Sequence, residues 1–263
     1  MSQPLKIGVA GALGRMGRAF IAVAETKPDL SVTALFDQPG TEGQAAGPYT
    51  LVTADAAMAA CEAIVDFTPP AAAAALAARV AAEGGPAMIV GGTGATPAEE
   101  AAIRTAGSRV ALVRTLNFSL GVHVLAGLVQ QAAARLAAED WDIEIFEAHH
   151  KRKIDAPSGT ALMLGEAAAR GREIDLTGAS ERGRDGITGA RKAGAIGFAS
   201  ARGGGIIGEH SVTFASEDEI LTFSHSARDR SLFARGALTA ALWTRNRPAG
   251  VYDMMDVLGF RSG

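Results

Sequence analysis

Short apolar runs alternate with alanine-rich amphipathic stretches along the first half of the chain. Residues 5–10, 30–36, 63–67, 87–90 and 110–113 are mostly apolar and too short for helices, so each reads as a buried strand. Between them, residues 15–26, 71–82 and 97–106 are good helix formers with helical spacing. Repeated βα units predict a doubly wound, Rossmann-like parallel sheet with helices on both faces. After Phe118 the pattern changes. A long helix (119–138), a strand (141–147) and a helix (161–170) are followed by residues 171–193, rich in glycine and charge and without periodicity. That segment is expected to be a long loop, mobile or used in assembly. Three strand-like runs follow at 195–201, 206–214 and 220–226, then a helix over 231–244 and a closing segment over 251–258. Successive strands joined by short turns predict a smaller α+β domain with a mixed or antiparallel sheet. The expected boundaries are 1–120, completed by 231–263, for the first domain and 121–230 for the second.

Bulk composition narrows the classes. At 263 residues and 48% hydrophobic, the chain can build a substantial core. A net charge of −3 gives no support to a nucleic-acid binder. The single cysteine, Cys61, excludes an internal disulfide framework and fits a reducing compartment. Residues 115–134 carry no formal charge, yet Asn117, Ser119, His123, Gln130 and Gln131 make them too polar for a membrane span. The expectation is a cytoplasmic protein without membrane attachment.

The first strand runs into Gly11-Ala12-Leu13-Gly14-Arg15-Met16-Gly17, and a helix begins at once. Strand, glycine turn and helix form the context of a dinucleotide site. Gly11 permits the tight turn, Gly14 lets a pyrophosphate approach backbone, and Gly17 lets the helix lie close to the sheet. The second strand ends at Asp37, about 20 residues on, where an acid accepts hydrogen bonds from an adenosine ribose. An aspartate there repels a 2′-phosphate, and no lysine or arginine occurs between Lys27 and Arg79. NADH is therefore expected to serve at least as well as NADPH, with Arg15 and Arg18 the only nearby cations able to favour the latter. Other strand ends, at Phe67-Thr68, Gly91-Gly92-Thr93 and Thr115-Leu116-Asn117-Phe118, are expected to line the same rim.

The densest chemistry lies in residues 147–162. The strand delivers Glu147 to His150 to its end, Lys151, Arg152 and Lys153 follow, and Pro157-Ser158-Gly159 marks a helix start. A helix start offers unpaired backbone N–H groups, and with Lys153 just upstream it can hold a carboxylate or phosphate. His149 or His150 can carry a proton near neutral pH. An anion clamp beside a proton donor outlines a reaction site. His210 and His225 read as structural or supporting residues, and no histidine–carboxylate spacing argues for a metal.

These motifs, taken in order, resemble the 4-hydroxy-tetrahydrodipicolinate reductase (dihydrodipicolinate reductase) family. The resemblance rests on Gly11-Ala12 with Gly14-Arg15-Met16-Gly17, on Asn117-Phe118-Ser119-Leu120-Gly121, and on Glu147-Ala148-His149-His150 with Lys153 and Asp155-Ala156-Pro157-Ser158-Gly159-Thr160-Ala161. Arg202-Gly203-Gly204, Gly208-Glu209-His210 and Gly236-Ala237-Leu238 extend it over nearly the whole chain. It implies NAD(P)H-dependent reduction of a cyclic dicarboxylate to tetrahydrodipicolinate with loss of water, in the diaminopimelate route to lysine. It places cofactor contacts on Gly11, Ala12, Leu13, Gly14, Arg15, Met16, Asp37, Gly91, Gly92, Thr93, Thr115, Leu116, Asn117 and Phe118. It puts the acid on His149, a second catalytic residue on Lys153, and substrate contacts on His150, Gly159 and Thr160. A homotetramer, assembled through the second domain, is also implied. His123 and the pair Thr115-Leu116 depart from the family pattern. Two readings compete: a dinucleotide-binding sensor without turnover, and a related dehydrogenase acting on another amino dicarboxylate.

Overall fold

The structure, a computed structural model, describes residues 3–261. The chain divides into two compact units, one made of residues up to Leu120 together with those from Ser231 on, the other of Gly121–Arg230.

The first unit begins with β1 (Leu5–Ala10), α1 (Arg15–Ala24) and β2 (Leu30–Phe36). A two-strand ribbon follows, β3 (Ala45–Ala46) with β4 (Tyr49–Thr50), and then α2 (Ala54–Ala60). The alternation resumes with β5 (Ala63–Asp66), α3 (Pro70–Glu83), β6 (Ala87–Val90), α4 (Pro97–Arg104) and β7 (Ala111–Arg114). In the second unit come α5 (Leu120–Ala133), β8 (Asp142–His149), α6 (Gly159–Gly171), α7 (Leu176–Ala179), β9 (Ser180–Arg182), β10 (Ile196–Arg202), β11 (Glu209–Ala215) and β12 (Ile220–Ser226). The chain then returns with α8 (Ser231–Trp243), β13 (Gly250–Tyr252) and α9 (Met254–Val257).

The six-stranded sheet has the order β13-β7-β6-β5-β1-β2, with every pairing parallel. Both faces are apolar, as parallel strands require. Val9, Val65, Ile89 and Val113 pack with α1 and α8 residues such as Phe20 and Ala237. Ile64, Met88 and Leu112 pack on the opposite side with Leu76 and Val80 of α3. The doubly wound expectation therefore holds.

In the second unit the five-stranded sheet runs β12-β11-β8-β10-β9. β8 pairs antiparallel with β11 and parallel with β10, so the sheet is mixed. Ile143, Ile145, Val212 and Phe214 form its core against Leu164 and Ala168 of α6 and Val129 of α5.

Three expectations are corrected. The helix expected over 119–138 ends at Ala133. A Cβ at Gly171 would lie 2.4 Å from the Gln130 carbonyl and 2.7 Å from Ala133 Cβ, so the end of α6 abuts the last turn of α5. Residues 171–193 are not one featureless loop, because they contain α7 and β9. Arg184 and Arg191 bind Glu144 of β8, and Arg191 also binds Asp142. The strand expected from 206 starts at Glu209, because Gly203 to Gly208 turn the chain.

Candidate functional site

In the first unit, Gly11 takes φ +73 directly after β1, a left-handed conformation that glycine adopts without strain. The amides of Gly11 and Ala12 both donate to the Phe36 carbonyl, which bends the loop across the end of β2. Gly14 is the N-cap of α1 and makes no side-chain cap bond, so the helix start keeps free N–H groups for an anion. A Cβ at Gly17 would stand 2.3 Å from the Gly11 carbonyl oxygen, so only glycine lets α1 approach the loop this closely. Asp37 follows β2: its Oδ2 accepts from the Leu13 amide and its Oδ1 from the Gln38 amide, each at 2.9 Å. Each oxygen retains a lone pair for a ribose hydroxyl. Arg15 and Arg18 are exposed.

The other strand ends converge as expected. Met16, Gly91, Gly92, Thr93, Leu116, Asn117 and Phe118 line one cavity of about 530 Å³, with Phe67 and Thr68 on its wall. The Thr115 hydroxyl donates to the Asn117 carbonyl and accepts from the Asn117 amide, so this residue ties the turn beneath the exposed Leu116. Beneath Thr68 lies Asp66, 1% exposed, whose Oδ1 accepts from both the amide and the hydroxyl of Thr68. Burial pushes the Asp66 carboxyl pKa up against those bonds. The free helix start, the glycine contacts, Asp37 and the cavity fit an adenine dinucleotide.

The second unit gathers a different set. Glu147 and His149 are two residues apart on β8 and therefore share a face. Arg202 is opposite His149 on β10, and His210 is opposite Glu147 on β11. Glu147 is wholly buried. Its Oε2 bonds His149 Nδ1 at 2.6 Å and Arg202 Nη1 at 2.8 Å. Its Oε1 accepts from Arg202 Nη2 at 2.8 Å and from the Ser158 amide at 3.2 Å. Burial pushes the Glu147 pKa up, but hydrogen bonds from Arg202, His149 and Ser200 outweigh it and bring the pKa down to about 2. An ionised carboxylate only accepts, so His149 Nδ1 carries the hydrogen of their bond.

That bond leaves His149 Nε2 as the working nitrogen. Nε2 faces Gly208, where a Cβ would come within 3.2 Å. The His149 ring meets the His210 ring edge-on at 5.1 Å, and His210 in turn lies 6.3 Å from His225. Burial, then the nearby His149 and His225, lower the His210 pKa to about 4. His210 Nε2 hydrogen-bonds Ser158 Oγ at 3.3 Å.

Ser158 caps α6 by accepting from the Ala161 amide, and Gly159 has open space around its Cβ position. The start of α6 is thus fastened to Glu147 yet remains uncovered at Gly159. Lys153 Nζ pairs with Asp155 at 2.8 Å and holds that carboxyl below its usual range. His150 Nδ1 is buried without a hydrogen-bond partner. Among the described residues, no cluster suited to a metal ion occurs. Sequence reasoning gave no chemical role to Glu147 or Arg202, and it read Ser158 as part of the helix start, where it is the N-cap. The signal available was the Glu-x-His spacing on a strand, which puts both side chains on one face.

Comparisons with known proteins divide the chain near residue 120, and the second match runs on past Arg230 into the returning segment. The family model described as dihydrodipicolinate reductase, N-terminus, matches residues 5–118, and the one described as dihydrodipicolinate reductase, C-terminus, matches residues 121–258. The 4-hydroxy-tetrahydrodipicolinate reductase of Caulobacter vibrioides is 59% identical over 261 residues, covering 99% of this chain and 100% of the relative. That of Roseobacter denitrificans is 47% identical and covers 100% of both chains. A dipicolinate-bound dihydrodipicolinate reductase from Paenisporosarcina sp. TG-14 shares the fold, with TM-score 0.78 at 19% identity over 96% of this chain and 98% of that one.

Proposed function

The chain belongs to the dihydrodipicolinate reductase family, and from that premise we propose how its residues divide the reaction. The protein is an oxidoreductase of the diaminopimelate route to lysine: it reduces 4-hydroxy-tetrahydrodipicolinate to tetrahydrodipicolinate with loss of water, using a reduced nicotinamide dinucleotide. The nicotinamide, when bound, supplies the hydride.

Gly11 to Met16 hold the pyrophosphate, Asp37 holds the adenosine ribose, and Gly91 to Thr93 with Thr115 to Phe118 flank the rest of the dinucleotide. NADH serves at least as well as NADPH, because the carboxylate of Asp37 opposes a 2′-phosphate and Gln38, not a cation, follows it. Comparing kcat/KM for the two cofactors tests this, and a strong NADPH preference refutes it.

In the second unit, Lys153 and the start of α6 at Gly159 and Thr160 take the substrate carboxylates, with His150 beside them. Lys153 must exchange its bond to Asp155 for the substrate. Hydride addition to a conjugated imine leaves negative charge on an enamine, and its neighbouring carbon must receive a proton. His149 Nε2 delivers that proton, a contribution of about 10²–10⁴-fold. The observation that carries this reading is the anchored His149 on the strand that leads into the uncovered helix start. Substrate-dependent NADH oxidation, with fresh product of the preceding synthase, is the test. A sensor consumes none, and a related dehydrogenase responds only to a different acid. Lys153→Ala is expected to lower kcat about 10²-fold or more while NADH still binds.

A homotetramer built through the second unit accords with Phe146 and Ile220, which are 44% and 70% exposed. They alternate with the residues buried against α6 and so point to the other side of the sheet. Sedimentation analysis tests that assembly. Among the described residues no helix is long and apolar enough to cross a membrane, and we place the enzyme in the cytoplasm.

A further inference from the structure

We infer that Glu147, clamped by Arg202, is the positioning residue that fixes the tautomer and the orientation of His149. The inference rests on the reading of His149 as the proton donor.

Besides the Ser200 side chain, both terminal nitrogens of Arg202, the Ser158 amide and His149 Nδ1 converge on the two oxygens of this wholly buried carboxylate. The Arg202 fork is bidentate, so the carboxylate cannot rotate away from the imidazole without breaking parallel bonds. Arg202 is itself held by the carbonyls of Ala201 and Asp155. Nδ1–H is therefore the fixed end of the ring, and Nε2 is the end that gains and loses a proton.

Every other charged or titratable group near the ring acts differently. From β10, Arg202 opposes an imidazolium but spends its charge on Glu147. From β11, His210 stays neutral because burial lowers its pKa to about 4, and His225 on β12 is lowered in the same direction. Lys153, from the loop after β8, is paired with Asp155. Glu147 is thus the one group among these with a hydrogen bond to the ring. The arrangement follows the logic of hydrolase triads, where the buried carboxylate orients the imidazole and does not itself take the proton.

The decisive variant is Glu147→Gln, which keeps the shape and removes the charge. It should lower kcat about 10²-fold, leave the NADH dissociation constant unchanged, and move KM for the dicarboxylate less than kcat. In side-chain ¹⁵N spectra of the variant, the Nδ1–H tautomer of His149 should lose its majority. Glu147→Asp should recover part of kcat and part of the tautomer preference. A loss of kcat with the tautomer unchanged, or turnover within about twofold of wild type, overturns the inference. Should Glu147→Gln fail to fold, the wild-type enzyme still decides. The chain has five histidines, and side-chain ¹⁵N spectra at high pH should show His149 protonated at Nδ1. A majority Nε2–H tautomer overturns the proposal. His149→Gln in the same assay separates the two claims. If it turns over normally, the donor assignment itself fails; if it is inactive while Glu147→Gln is not, only the positioning role fails.

Discussion

The contact between α1 and the glycine loop offers a perturbation with a calculable size. A Cβ at Gly17 would lie 2.3 Å from the Gly11 carbonyl oxygen and 2.8 Å from Ala12 Cα, whereas ordinary contact begins near 3.4 Å. Gly17→Ala therefore forces α1 and the loop apart by about 1 Å, against backbone atoms that cannot rotate aside. Extra methyl groups in packed sites cost about 1–3 kcal/mol, or about 3–10 °C in Tm for a chain of this size. The same displacement moves the free N–H groups of the first turn after Gly14 away from the anion they would bind. A loss of about 1.4–2.8 kcal/mol there raises the NADH dissociation constant about ten- to a hundredfold. Gly14→Ala is the informative control. Its Cβ would sit 3.2 Å from the Gly11 oxygen, a clash of a few tenths of an ångström. It should leave Tm nearly unchanged while weakening NADH binding, because the methyl group occupies the approach to the helix start. Thermal unfolding and NADH fluorescence titration read both effects. A Gly17→Ala enzyme with wild-type Tm and wild-type affinity would refute the close-packing argument.

Acid stability should show two windows. The folded-state pKa of His210 is depressed to about 4 from 6.5, so its contribution to stability is present above pH 6.5 and lost as pH falls towards 4. Glu147 is depressed to about 2 from 4.5, so its contribution is lost between pH 4.5 and 2. Chemical unfolding across pH should find the first slope flattened in His210→Gln; an unchanged slope between pH 6.5 and 4 contradicts the assignment. Gly208→Val fills the space 3.2 Å from His149 Nε2 and should lower kcat by about 10-fold or more, since small misplacements at a reacting group are costly. NADH affinity should not change, and an unimpaired kcat would show that Nε2 works from another side.

Much of the first unit was legible because buried parallel strands read as short apolar runs, and each run ends in glycine, threonine or aspartate at the rim. Residues 5–10 and 30–36 appear in the fold with the same bounds. Helix α2 escaped notice because its short alanine-rich sequence has little amphipathic contrast, although Thr53 caps it. The end of α5 was not legible either: Ala134, Leu136, Ala137 and Ala138 are good helix formers, and only the abutting Gly171 explains the stop. The latter part of the 171–193 segment looked featureless because its order comes from Arg184 and Arg191 reaching Glu144, 40 or more residues back in the chain. In the site, the residues that present themselves at a strand end or helix start, His149, Lys153, Gly159 and Thr160, could be picked out locally. Arg202 could not, because its partnership with Glu147 depends on the parallel register of β8 and β10.

The central claim is that one imidazole finishes the reduction by giving up a proton. Steady-state turnover of His149→Gln, measured beside its NADH dissociation constant, tests this most directly. The account predicts that kcat falls about 10²-fold or more while NADH binds as in the wild type. Near-normal turnover would remove His149 from the chemistry and contradict it.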